Sequence, residues 1–128
     1  MGESAYAPME PARRPAGHPQ DRPSYRVLVH RKYADKWSQI VGRVGADAAN
    51  RFWDHVSSNP GGTPETATSC ILKGKAGEPK KDGFSRMIHY ELSSMARINY
   101  QYSDDYQTLP GGDKHRVVFI WTIDYSSH

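Results

Sequence analysis

The stretch "HRVVFIWTIDYSSH" (115–128) decides how this chain is read. From Arg116 to Ile123 nearly every side chain is apolar or β-branched, so a strand here must be covered on both faces. Such a strand belongs in the middle of a sheet. Directly after it stand Asp124, Tyr125, Ser126, Ser127 and His128. An acid, a phenol and an imidazole are thus tied to the end of the strongest strand. A central strand is rigid support, and groups held just past its end are preorganised for catalysis.

Two shorter strands precede it. "FSRMIHYEL" (84–92) alternates, with Phe84, Arg86, Ile88, Tyr90 and Leu92 opposed to Ser85, Met87, His89 and Glu91. "RINYQY" (97–102) sets Ile98, Tyr100 and Tyr102 against Arg97, Asn99 and Gln101. "SSMA" joins them tightly, and "SDDYQTLPGGDK" (103–114) makes a longer hairpin loop into the last strand. Upstream, "TSCILKG" (68–74) is a short extended piece, and "KAGEPKKDG" (75–83) is a polar, basic loop.

Between Arg31 and Ser58 the period is helical. Tyr33, Trp37, Ile40, Val41 and Val44 form one apolar stripe, and Ala48, Ala49, Phe52, Trp53 and Val56 form another. Gly42 and Gly45 interrupt them, which predicts two helices, or one sharply broken. "SNPGGTP" (58–64) ends this region. "YRVLVH" (25–30) before it is a strand with Val27 and Val29 on one face. The order predicts an α+β domain: two helices packed on one face of a mainly antiparallel, roughly four-stranded sheet. The polar face, carrying His89, Glu91 and Arg97, is then the one exposed to a ligand.

Residues 1–24 hold five of the nine prolines and few large apolar side chains. Such a stretch buries too little surface to offset its ordering entropy, so it reads as a flexible arm, with the domain spanning 25–128. The chain of 128 residues suits one core. Its 17 Lys and Arg against 14 Asp and Glu give a net charge of +3, which permits nucleic acid as a partner without requiring it. The single cysteine, Cys70, excludes an internal disulfide. No apolar run approaches the roughly 20 residues of a membrane span, so a soluble, cytoplasmic protein is expected.

The chemistry narrows by elimination. "HYE" (89–91) lacks the cysteine pair that completes a zinc deaminase site, and no two histidines stand at i, i+4. No metal or cofactor is therefore expected. No serine sits in a G-x-S-x-G elbow. Cleavage of RNA through its 2′-hydroxyl remains. It needs a base, an acid and a cation over the phosphate. His89, Glu91, Tyr125 and His128 suit proton transfer. Arg97, Lys73, Lys75, Lys80, Lys81 and Arg86 suit phosphate. The same residues also fit an ordinary solvated surface: Arg97 paired with Glu91, and the lysines keeping a loop soluble.

"ILKGKAG", "GFSRMIHYEL", "ARINYQYSDD" and "RVVFIWTIDYSSH", in that order, resemble the RelE/ParE superfamily of toxins from bacterial toxin–antitoxin modules. The helical pair and Asn59-Pro60 resemble the family's helical hairpin, so the likeness spans about 25–128. It implies a small microbial-ribonuclease-like fold. It also implies a translation-inhibiting mRNA interferase, cleaving messages in the ribosomal A site and held in check by a cognate antitoxin. Arg97 then matches the family's phosphate-contacting arginine. "DYSSH" resembles the Asp-Tyr-His ending of the HigB group and the Tyr-His ending of the YoeB group, which assigns Asp124, Tyr125 and His128 to the site. Ser126 and Ser127 separate a tyrosine and a histidine that are adjacent in those groups. His89 and Glu91 fall on a strand that often supplies a further site residue, and Lys73 and Lys75 would grip RNA. ParE-like members instead poison DNA gyrase by binding, and a catalytically inactive protein-binding module is a third reading. The nuclease reading requires guanidinium, phenol and imidazole to converge on one concave surface.

Overall fold

The computed structural model describes residues 8–19, 22–64, 68–80, 83–94, 96–107 and 111–125. Six strands form one sheet: β1 (Met9–Pro11), β2 (Arg26–His30), β3 (Thr68–Ile71), β4 (Ile88–Ser93), β5 (Ala96–Tyr106) and β6 (His115–Asp124). Three helices lie between β2 and β3: α1 (Ala34–Ser38), α2 (Ile40–Val44) and α3 (Ala46–Ser58). The strand order is β1-β2-β6-β5-β4-β3, antiparallel throughout except where β2 runs parallel to β6. The α+β class is as expected. The sheet has six strands instead of four, and the helical region is divided into three.

The apolar run at 116–123 lies inside the sheet, flanked by β2 and β5. Val118, Ile120 and Ile123 face the helices, in one cluster with Trp37, Ile40, Phe52, Trp53 and Val56. Val117 and Phe119 face the other way, against Met9, Leu28 and Phe84. Both faces of β6 are covered, which is why its sequence shows no alternation. The register with β5 slips between Asn99, opposite Thr122, and Tyr100, opposite Ile120. Trp121 is thus the extra residue, and the bulge lets Ile123 return to the helix face.

Gly45 explains the last helix break. Its φ of +89° favours glycine, and it closes α2 while opening α3. The first break falls at Gln39, whose amide donates to the Lys36 carbonyl in a tighter final turn.

The expectation of a flexible arm over 1–24 is corrected for its described part. Met9–Pro11 adds a strand to the sheet edge, where proline is tolerated because its missing N–H faces outward. The Met9 side chain is fully buried. Beyond it the chain crosses to the helix side. Trp53 Nε1 donates to the Ala12 carbonyl at 2.7 Å and Trp37 Nε1 to the Arg13 carbonyl at 3.2 Å. Asn50 exchanges two hydrogen bonds with the Ala16 backbone. Arg14 forks onto Asp54 at 2.9 and 3.0 Å. Composition misleads here because a few anchors suffice when tryptophan N–H groups need acceptors.

Among the described residues, no helix is long and apolar enough to cross a membrane.

Candidate functional site

The helices cover one face of the sheet. On the other, two polar rows run across β4, β5 and β6. Glu91 stands opposite Arg97, and Arg97 opposite Asp124. His89 stands opposite Asn99, and Asn99 opposite Thr122. These are cross-strand neighbours, whose Cβ atoms sit about 4.5–5.5 Å apart in such ladders. Four expected residues, His89, Glu91, Arg97 and Asp124, therefore share one end of one face.

The wall of the site comes from an element the sequence did not assign to it. Strand β2 ends at His30, while β6 runs on to Asp124. A 3₁₀ turn (Arg31–Tyr33) and α1 fill the vacated edge, and Lys36 Nζ donates to the Ile123 carbonyl at 3.3 Å. The result is a groove of about 310 Å³, lined by Tyr33, Lys36, His89, Arg97, Asn99, Thr122, Ile123 and Asp124. Lys36 also lies 5.6 Å from the centre of the Tyr33 ring.

His89 is the most defined group in the groove. Its Nδ1 is 2.7 Å from Asn99 Oδ1. An amide oxygen only accepts, so Nδ1 carries the proton and donates. In the neutral ring Nε2 then holds the lone pair. The partner of one ring nitrogen thus sets the chemistry of the other. Asn99 is a positioning residue, and the signal for it was present in the alternation of "RINYQY".

Tyr125 departs from its expected place. Its side chain packs against the helix-side core, its hydroxyl donates to the Lys36 carbonyl, and the Arg43 guanidinium lies 5.2 Å from its ring centre. Ile123 faces the helices, Asp124 the groove, and Tyr125 the helices again. Burial pushes the Tyr125 phenol up to about 12, with Arg43 opposing the shift. Phenol and guanidinium do not converge: Arg97 and Tyr125 are on opposite sides of the sheet. His128, Ser126, Ser127 and Lys81 lie outside the described residues.

Tyr125→Phe is accordingly expected to lower stability by about 1 kcal/mol, the loss of one hydrogen bond, with no change in any activity of the groove. Denaturant unfolding read beside an activity assay checks both halves.

The basic residues expected to grip RNA are dispersed. Lys73 and Lys75 are exposed on the β3–β4 connection. Lys80 sits over Trp121 at 5.8 Å, and its backbone N–H donates to Gln101. Arg86 donates to the Leu72 and Gly74 carbonyls, so its fork ties the connection together. None of the four lines the groove. Among the described residues, no three His, Cys, Asp or Glu side chains are grouped so as to hold a metal ion.

Tyr25 is a second raised phenol, at about 12, chiefly through burial and then through its hydrogen bond to Asp104. A phenol raised above its unfolded value of 10.0 stabilises the fold fully below pH 10. That stabilisation is lost as pH rises through the folded value. Stability is therefore expected to fall between about pH 10 and 12, in step with tyrosinate absorbance. Tyr25→Phe/Tyr125→Phe should reduce the slope in a pH series of urea melts.

No family model, curated protein or solved structure matches the chain.

Proposed function

We propose that the protein is a metal-independent endoribonuclease acting by 2′-hydroxyl attack on the adjacent phosphate, the toxin of a toxin–antitoxin module. The observation that carries this reading is His89, held by Asn99 in one tautomer, in a groove that also contains Arg97 and Lys36. His89 Nε2 takes the 2′-hydroxyl proton. The oxygen attacks phosphorus, the bond to the 5′ oxygen breaks, and that oxygen takes a proton from a solvent water in the open groove as it leaves. Arg97 and Lys36 balance the charge that develops on the phosphoryl oxygens. Tyr33 offers a ring for a base to stack on. Glu91 and Asp124 flank Arg97 in the register, and carboxylates so placed offset part of its positive field.

This set keeps Arg97, His89, Glu91 and Asp124 from the sequence-based expectation, replaces Tyr125, and adds Tyr33, Lys36 and Asn99. The resemblance to RelE-like toxins supplies the mRNA in the ribosomal A site as substrate and an antitoxin as partner. Primer extension on messages translated in an extract tests the reading. New ends within codons, carrying 2′,3′-cyclic phosphate and 5′-hydroxyl groups, are expected. Intact messages together with DNA breaks would point to a gyrase poison instead.

One observation favours a second reading, a protein-binding module. Strand β3 is an outer strand of the described sheet, and Ile71 on it is 61 % exposed. An exposed edge with an apolar side chain invites an added strand from a partner. Ile71→Lys should abolish such pairing and leave RNA cleavage unchanged.

A further inference from the structure

The opposite end of β6 carries a second concave site. A cleft of about 580 Å³ opens where β2 and β6 begin, within the range of small-ligand pockets. Its walls are apolar and firm. Val27, Leu28 and Trp53 are buried core residues, and Pro11, Ala12 and Pro23 close the sides. The N-terminal segment shapes it, since Ala12 is bonded to both Val27 and Trp53.

Its charge is one-sided. Arg13, Arg22, Arg26, Lys114 and Arg116 line it, with His115 beside them. Five of the chain's 17 Lys and Arg thus meet at one opening, and no carboxylate among the described residues lines it. Asp104 accepts from the Tyr25 hydroxyl and stays outside the lining, while the Arg116 guanidinium lies 5.9 Å from the Tyr25 ring centre. Guanidinium forks match phosphate oxygens two at a time. An apolar slot edged by such forks suits a planar body bearing a short run of phosphates.

We infer that this cleft is a binding site for a nucleoside polyphosphate, with the base against Trp53, Val27 and the prolines and the phosphates on the arginines. Arg116 and Asp124 are eight residues apart on β6, roughly 26 Å at the rise of a strand. The site is separate from the His89 groove and does not depend on the nuclease reading.

Calorimetric titration of the full chain in physiological salt tests it, with ATP, GTP, adenosine, pyrophosphate and a seven-nucleotide RNA as probes. One-to-one saturation by ATP or GTP is expected, with adenosine and pyrophosphate each at least tenfold weaker. Arg22→Glu/Arg116→Glu should weaken nucleotide binding at least tenfold, with folding checked by circular dichroism. Lys114→Glu, a single change at an exposed position, should weaken it severalfold and serves if the double variant does not fold. His89→Ala/Arg97→Ala should bind as the parent does. Absence of saturable nucleotide binding overturns the inference. So does an equal loss in the His89→Ala/Arg97→Ala variant, which would move the ligand to the other groove. Preference for the RNA over both nucleotides by tenfold or more overturns it as well, because the cleft would then be a strand-binding surface.

Discussion

His89→Ala is expected to slow RNA cleavage by about 10²- to 10⁴-fold, the usual contribution of a positioned proton-transfer group. Stability should change little by comparison, because His89 is only half-buried and loses one hydrogen bond, worth about 1 kcal/mol. The size of the effect follows from geometry. The Nδ1 proton is committed to Asn99, so the ring presents Nε2 to the groove without first reorienting. Removing the ring removes the base that takes the 2′-hydroxyl proton. A fall in kcat with KM nearly constant would show an interaction made in the transition state. Asn99→Ala should give a smaller fall, since the ring stays but its tautomer is released. Arg97→Ala should act on kcat too, by withdrawing charge from the phosphoryl group. Steady-state cleavage of an oligoribonucleotide, beside thermal melts of the same variants, measures these quantities. Parental cleavage by folded His89→Ala would remove the base from the proposed mechanism.

The contrast with Tyr125 shows where sequence reasoning holds and where it stops. Alternation on β4 and β5 placed His89, Glu91 and Arg97 on the face away from the helices, because the side-chain period of a strand is two and its apolar half must be buried. The unbroken apolar run of β6 showed that it lies inside the sheet. What alternation cannot show is a bulge. Trp121 shifts the phase of β6 by one residue, so that Ile123 and Tyr125 face the helices while Thr122 and Asp124 face the groove. Counting along "WTIDYSSH" without that slip misassigns the phenol. Tyr33 and Lys36 were hidden for a different reason. They are three residues apart on a helical segment, which reads as a helix face, and only the early end of β2 makes that segment the side wall of a groove. In the described part of the proline-rich beginning, composition misleads because it reports average burial. The fold there depends on a few contacts between distant residues, Met9 with Phe119 and Ala12 with Trp53 among them.

Those contacts give the largest stability effect expected in the chain. A variant beginning at Gly17 loses β1 and everything the segment anchors. Met9 is fully buried beside Leu28, Phe84, Val117 and Phe119, and truncating such a methionine to alanine alone costs about 2–5 kcal/mol. Deleting the strand removes the whole side chain and bares that cluster to water. Trp53 lies in the core, only 7 % exposed, and its Nε1 loses the Ala12 carbonyl. An unmet buried donor costs about 1–3 kcal/mol unless water reaches it. The Arg14–Asp54 pair adds little, because Asp54 is largely exposed and solvent screens a surface ion pair. Together these losses approach the 5–15 kcal/mol that holds an ordinary domain folded. The truncated chain should therefore unfold at or below room temperature, or require much less urea than the parent. Met9→Asp, which keeps the length and inserts a charge into the cluster, should reproduce most of the loss, whereas Arg14→Ala should shift the midpoint only slightly. Urea titrations followed by tryptophan fluorescence rank the three. A Gly17 start within about 1 kcal/mol of the parent would mean that the sheet closes without its first strand, since one lost hydrogen bond alone is worth that much.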